Sequence, residues 1–307
     1  MGTCILCGRK QSTYQTGPCD RCLAVMARNR EPAAPTLQVL PEITQRSADW
    51  FAQRRGIITA SAIGSLITTR KLGAIAFACP DCGAGPAEPC KAKRGGGTIK
   101  TLHPERAEHA RSQPSSTVIE PASNDTSRAL TASLAAERIT GHTEPTWISD
   151  DMQRGIDDEP VARDLYSKHH APVTEVGFMV RTEWGCRIGY SPDGLVGDDG
   201  LIEIKSRRQA GQLQTIVAGV VPAEHMAQLQ CGLLVSGRKW IDYVSYSGGM
   251  ALWTKRVYPQ QVWRDALIGA ARAFEDNASE LQRIYEESVV GLPMTERIEI
   301  IDLLGLG

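Results

Sequence analysis

Along the second half of this chain the apolar residues switch between the 3.6-residue period of a helix and the two-residue period of a strand. Leu130, Leu134 and Ile139 fall at helical spacing within residues 126–141, and Gly141 marks the stop. Residues 151–170 read as a second helix, with Asp150 or Asp151 as its cap and Ile156, Ala162, Leu165 and Tyr166 facing inward. Pro160 is expected to break or restart that helix. Strand signals occupy 173–181, and a hairpin follows at Ile188–Lys205. Residues 207–235 look helical in their second part, Ala223–Leu234. Trp240–Tyr246 and Ala251–Tyr258 read as strands. From Pro259 to about Glu287 a long amphipathic helix carries Val262, Trp263, Ala266, Leu267, Ala270 and Phe274 on its apolar face. The apolar tail at Ile298–Ile301 is expected to pack against its own domain.

The first half is patterned differently. Pro32, Pro35 and Pro41 stand among small residues and predict a linker over 31–44. Ala62–Ile67 is a short helical pattern, with Ser61 as N-cap or first-turn residue. Residues 74–112 are rich in Gly and Pro and lack core residues, so they read as an insert. Residues 112–125, polar and Pro/Ser-rich, read as a flexible return.

The hairpin is the chemically dense stretch. Asp198-Asp199-Gly200 supplies the turn. Folding about position 198 brings Asp193 opposite Glu203 and puts Glu203 and Lys205 on one face, with Ile202 and Ile204 on the other. Like charges directly opposed in a sheet destabilise it, and a divalent cation removes that penalty. A lysine beside a metal-bound water can position it or accept its proton. The plainer reading of the same residues is a solvated strand face with a charge pair.

Composition adds direction. The 307 residues are 42% hydrophobic and 22% charged, ordinary for a globular protein of one large or two smaller domains. No apolar run approaches the ~18 residues of a membrane span, and there is no signal-peptide core, so a cytoplasmic protein is expected. Residues 1–111 hold 16 Lys+Arg and 8 Asp+Glu, whereas 112–307 hold 18 and 27. A basic front and an acidic back suggest a polyanion surface beside a metal-binding region.

Seven of the nine cysteines fall in two clusters, which argues for metal over disulfides. Cys4, Cys7, Cys19 and Cys22 form two Cys-x2-Cys knuckles and predict a four-sulfur zinc ribbon over 1–30, with an iron–sulfur cluster as the competing reading. Cys79, Cys82 and Cys90 with His103 predict a second zinc site, His109 being the alternative fourth ligand. Lys91, Lys93, Arg94, Lys100, Arg106 and Arg111 surround these ligands and fit phosphate contact. The segment resembles small zinc fingers of the Cys-Pro-x-Cys-Gly-Ala type. Cys186 and Cys231 stand alone and read as small core residues.

Five further pieces occur in a set order: Trp50-x3-Arg54-x-Gly56-x2-Thr59-Ala60-Ser61, Gly155-x3-Glu159, Ser191-Pro192-Asp193-Gly194, Glu203-Ile204-Lys205 and Ala227-Gln228-Leu229-Gln230. Together they resemble the lambda-exonuclease-type, YqaJ-like viral recombinase family of PD-(D/E)xK nucleases, over about 45–290 apart from the insert. The resemblance implies an α/β core, a central mixed sheet flanked by helices. It implies Mg²⁺ or Mn²⁺ held by Asp193, Glu203 and the Ile204 carbonyl, with Lys205 at the attacking water and Glu159 and Gln228 orienting water or lysine. It implies that Arg54 and Ser61 bind the terminal 5′-phosphate. The implied activity is 5′-to-3′ digestion of duplex DNA ends, with a single-strand annealing protein as partner and a homotrimer as assembly. The expected organisation is a zinc ribbon at 1–30, a linker at 31–44, a nuclease core at 45–290 interrupted by the 74–112 finger, and a tail at 291–307. The ribbon and the finger lie outside the shared core. A RecB-like or endonucleolytic enzyme of the same superfamily is one alternative. A non-enzymatic DNA-binding regulator is another, and it leaves Asp193, Glu203 and Lys205 without a role.

Overall fold

The computed structural model describes residues 36–113, 117–145 and 147–297. Cys4, Cys7, Cys19, Cys22 and the Ile298–Ile301 tail lie outside the described residues. The chain is a mixed α/β structure in which two four-stranded sheets replace the single central sheet expected. The first sheet has the order β1 (Thr36–Leu40), β5 (Phe178–Glu183), β6 (Cys186–Tyr190), β2 (Ile58–Thr59). The second runs β10 (Trp253–Val257), β9 (Trp240–Tyr246), β8 (Gly200–Ser206), β7 (Gly194–Val196). Both are mixed: β2 lies parallel to β6 and β8 parallel to β9, and their other pairings are antiparallel. The chain passes between the sheets at Ser191-Pro192-Asp193, where Pro192 has no N–H to continue a ladder.

The central strand β8 is buried without a break from Gly200 to Ile204, because both its faces are covered. Ile202 and Ile204 pack with Ala162 and Tyr166 of α4 (Asp150–His169). Leu201, on the opposite face, joins the main core with Leu229 and Leu233 of α6 (Ala223–Ser236) and Leu267, Ala270 and Phe274 of α7 (Gln261–Ser288). A parallel β8–β9 pair needs a crossover, which α5 (Gln209–Ala218) and α6 provide. The predicted strand Trp240–Tyr246 and the predicted helix at Ala223 match in position. α3 (Asp125–Thr140) ends where Gly141 takes φ +65°.

Several local expectations are corrected. The stretch read as a linker contains β1, an edge strand with Leu37 and Val39 exposed. The predicted flexible return contains β4 (Thr117–Pro121), which pairs with β3 (Ile67–Lys71) in a two-stranded ribbon. Ser149, one residue before Asp150, caps α4 by accepting from the Met152 N–H. Pro160 neither breaks nor restarts α4, whose buried Ala162 and Tyr166 hold it on β8. Ile156 and Leu165 are only half-buried, and Val262 is exposed in the first turn of α7. Ser61 caps nothing: Ile63–Leu66 is one turn of 3₁₀ helix whose preceding residue, Ala62, makes no side-chain cap.

Candidate active site and zinc finger

The β7–β8 register pairs Gly194 with Ile202 and Val196 with Gly200, so the same register carries Asp193 toward Glu203. β7 stops at Gly194, which leaves the edge of β8 open beyond it. The Asp193 carboxylate takes the place of a strand partner there, its Oδ2 accepting from the Ile204 N–H at 2.6 Å. Glu203 lies on the Leu201 face and is almost wholly buried. Its Oε1 accepts from Lys205 Nζ at 2.7 Å and from Gln228 Nε2, and its Oε2 from the Tyr190 hydroxyl at 3.3 Å. One strand and one helix thus bring Glu203, Lys205 and Gln228 into contact.

Glu159 lies on α4, facing Asp193. Two arginines contact it. Arg163, one turn on, bonds Glu159 Oε1, the Asp193 carbonyl at 2.8 Å and Glu175 at 2.9 Å. Arg46 reaches Glu159 Oε2 at 3.3 Å. Arg46, Arg163 and Tyr190 are site residues the motif reading missed. Only Arg163 left a trace, at the i+4 ion-pair spacing from Glu159.

The electrostatics follow from this crowding. Burial pushes the Asp193 carboxyl well above the usual carboxylate range, and the charges of Glu203 and Glu159 push the same way. Burial alone would lower Lys205, but Glu203 and Asp193 outweigh it and hold the ammonium above its ordinary value. Burial and the Glu203 charge push the Tyr190 phenol up. Mg²⁺ is held by one or two carboxylates and completes its shell with water and phosphate oxygens. An excess of buried negative charge beside a free strand edge fits a divalent ion.

Arg54 and Ser61 also meet. Arg54, at the end of α1 (Ala48–Arg54), donates to Ser61 Oγ at 3.2 Å and to Thr59 Oγ1 at 3.4 Å. Its guanidinium lies 4.0 Å from the Trp50 ring centroid. Burial lowers its pKa to about 10, partly offset by Glu137. The Trp50 Nε1–H donates to Ser191 Oγ at 2.7 Å, which ties this pair to the loop carrying Asp193.

In the insert, Cys79, Cys82, Cys90 and His103 bring one ligand atom each within 4.8 Å of one another. The set suits tetrahedral Zn²⁺. His103 stands directly before α2 (Pro104–Ser112), whereas His109 is exposed on that helix and hydrogen-bonds Gln113, away from the cluster. The Lys91 N–H points at Cys82 Sγ (3.4 Å), and Gly83 takes φ +68° in the knuckle. Arg106 is not a surface contact. It is fully buried and donates to the carbonyls of Ala74, Ile75, Phe77, Gly85 and Glu88, and to Cys90 Sγ at 3.4 Å.

Residues 113–239 match the model of the YqaJ-like viral recombinase domain. Residues 45–122 match that described as "Putative DNA-binding phage zinc finger domain". Comparison with curated proteins found no match. Among solved structures, the chain is similar to an alkaline exonuclease from Laribacter hongkongensis at 26% identity and a TM-score of 0.55, covering 80% of this chain and 100% of that one. A second structure of that exonuclease, in complex with dAMP, matches at 25% identity with the same TM-score and coverage. Asp193, Glu203, Lys205, Glu159 and Gln228 all fall inside the recombinase match, and Arg54 and Ser61 inside the zinc-finger match. The chain thus carries a YqaJ-like viral recombinase domain together with a phage zinc-finger domain.

Proposed function

We propose that this protein is a metal-dependent deoxyribonuclease of the PD-(D/E)xK type that digests linear duplex DNA from its 5′ ends. The contact of Glu203 with Lys205 and Gln228, beside the Asp193 carboxylate, is the observation that carries the reading. The likeness to an alkaline exonuclease supports the same class of activity. In this reading Asp193, Glu203 and the Ile204 carbonyl hold Mg²⁺ or Mn²⁺. The ion supplies a Lewis acid for the scissile phosphate and a more acidic bound water. Lys205 orients the attacking water. It keeps its own proton while Glu203 and Asp193 outweigh burial; with those carboxylates neutralised, burial favours the free amine, which takes a proton from water. Gln228 fixes the Glu203 carboxylate, and Glu159 orients water at the opposite side. Arg54 and Ser61 receive the terminal 5′-phosphate. Arg54 suits that role because its hydrogen bonds to Thr59 and Ser61 go to neutral hydroxyls, which leaves its charge for an anion. Zinc in the finger is structural, and the exposed basic residues around it, Arg106 excepted, contact the DNA backbone.

The test is degradation of linear duplex DNA with Mg²⁺, comparing 5′-phosphate with 5′-hydroxyl ends, linear with closed circular DNA, and wild type with Lys205→Ala. Mononucleotide release favouring phosphorylated linear ends, reduced by about 10²-fold or more in the variant, supports the reading. Cleavage of closed circles would replace it with an endonuclease, and no cleavage by zinc-loaded protein would remove it.

A further inference from the structure

Arg46 is the third residue of a turn, Thr44-Gln45-Arg46-Ser47, closed by the Ser47 N–H on the Thr44 carbonyl at 3.1 Å. Its φ is +68°. Turns with positive φ at this position favour glycine, because a Cβ is crowded there. The turn is fixed at both ends. Gln45 donates from Nε2 to the Pro192 carbonyl at 3.2 Å, next to Asp193, and the Ser47 hydroxyl caps α1 by accepting from Trp50 N–H. A cavity of about 390 Å³ opens beside the turn, lined by Gln45, Arg46, Glu159, Arg163 and Asp193 among others. The backbone therefore aims a cationic side chain into the space beside the carboxylates, in a conformation for which another residue type is better suited.

The two arginines on Glu159 differ in kind. Arg163 is fixed, with a side chain 12% exposed and two other acceptors. Arg46 is 44% exposed, and Glu159 is its one ion-pair partner among the described residues. One guanidinium belongs to the scaffold, and the other is held by a single ion pair at the exposed edge. A divalent cation arriving at Asp193 and Glu203 draws on the Glu159 charge and weakens the Arg46 pair, whereas Arg163 keeps its two other acceptors.

We propose that Arg46 is a substrate-contacting residue. It rests on Glu159 in the free protein and transfers to a phosphate of the DNA strand when metal and DNA enter the cleft. The proposal rests on the nuclease reading for the identity of the substrate, and its ligand chemistry is a backbone phosphodiester. Transfer of the ion pair makes or breaks no covalent bond: Glu159 exchanges Arg46 for the metal shell, and Arg46 exchanges a carboxylate for a phosphate.

The test uses full-length protein with Arg46→Gly and Arg46→Lys. Glycine removes the guanidinium and relieves the backbone, so Arg46→Gly is expected to unfold at or above the wild-type temperature. Its KM for linear duplex DNA is expected to rise about 10-fold, and the slope of log affinity against log salt to shrink by about 0.9, the loss of one phosphate contact. Its Mg²⁺ requirement is expected to stay level or fall, since no guanidinium competes for Glu159. Arg46→Lys keeps the charge and is expected to retain most of the salt slope. An unchanged KM and slope in Arg46→Gly would overturn the proposal. A lower unfolding temperature with a raised Mg²⁺ requirement would also overturn it, and would make Arg46 a support of the metal site. Wild-type protein that never cleaves removes the nuclease reading alone. Fluorescence anisotropy with the same duplex then decides the contact by the same difference in salt slope.

Discussion

Asp193 is the side chain most at odds with its surroundings: a carboxylate on a buried edge, facing two more carboxylates, with one backbone N–H and the Lys205 ammonium as compensation. Its raised pKa means that the ionised form costs folding stability at neutral pH when no cation is bound. Asp193→Asn keeps an oxygen for the Ile204 N–H and drops the charge. In zinc-replete buffer without Mg²⁺ the variant is expected to unfold at a higher temperature than wild type. Mg²⁺ is expected to stabilise wild type and leave the variant unmoved. His225 gives a pH prediction. Burial, with the Lys205 charge, lowers its pKa to about 4, and its Nε2 accepts from Arg207 Nη1 at 3.0 Å while the ring stacks on Tyr243. A histidine depressed in the folded state is protonated first in the unfolded chain. Stability is therefore complete above pH 6.5 and is lost as pH falls toward 4, by up to about 1.4 kcal/mol per pH unit. Unfolding midpoints from pH 7 to 4.5 are expected to fall in wild type and to flatten over this interval in His225→Gln. At this scale the sequence carried Asp193, Glu203, Lys205 and Gln228 because strand register and motif order bring them near one another. It did not carry Arg46, because a turn's side-chain direction depends on a φ angle that spacing does not encode.

Among the elements, those with strong apolar patterning were legible and those at edges were not. β9 and α6 are flanked by core on their buried faces, so their sequences show it. β1 is an exposed edge strand flanked by Pro35 and Pro41, and β4 is a short, half-buried strand that ends on Pro121, so both read as loop. The turn between β1 and α1 is held from below by Gly177, where an added Cβ would stand 1.7 Å from the Ile43 carbonyl oxygen. Backbone cannot yield as a flexible side chain does. Gly177→Ala is expected to destabilise by about 2–4 kcal/mol in chemical denaturation and to weaken DNA cleavage through displacement of Arg46 and Pro192. The finger depends on Arg106 in a comparable way. Arg106→Met removes the buried guanidinium that five carbonyls share as a donor, a loss of about 3–5 kcal/mol in a module whose apolar core is Cys79, Ala84 and Cys90 with a few partly buried neighbours. The variant is expected to lose finger-bound zinc and to be cut by protease within 74–112, as read by native mass spectrometry and limited proteolysis. The sequence presented Arg106 as one of six basic residues, and nothing in charge alone separates a buried guanidinium from an exposed one.

For the whole molecule, the finger is an insertion carried on the β3–β4 ribbon, where Lys71 pairs directly with Thr117. The buried contacts of Arg106 run to residues 74–90, inside the same excursion. Replacing residues 72–116 by Asn-Gly, a two-residue hairpin turn, is expected to leave a folded chain within about 1 kcal/mol of the parent in the remaining transition. DNA affinity is expected to fall and its salt dependence to lessen, measured by anisotropy against the intact protein. Among the described residues no helix is long and apolar enough to cross a membrane. The ribbon also has a meaning for descent. Because both ends of the excursion leave from neighbouring strand residues, its acquisition, loss or exchange is one local event in a gene and disturbs no distant pairing. A change of finger can therefore leave the hairpin bearing Asp193 and Glu203 as it was, so the two parts are free to change independently.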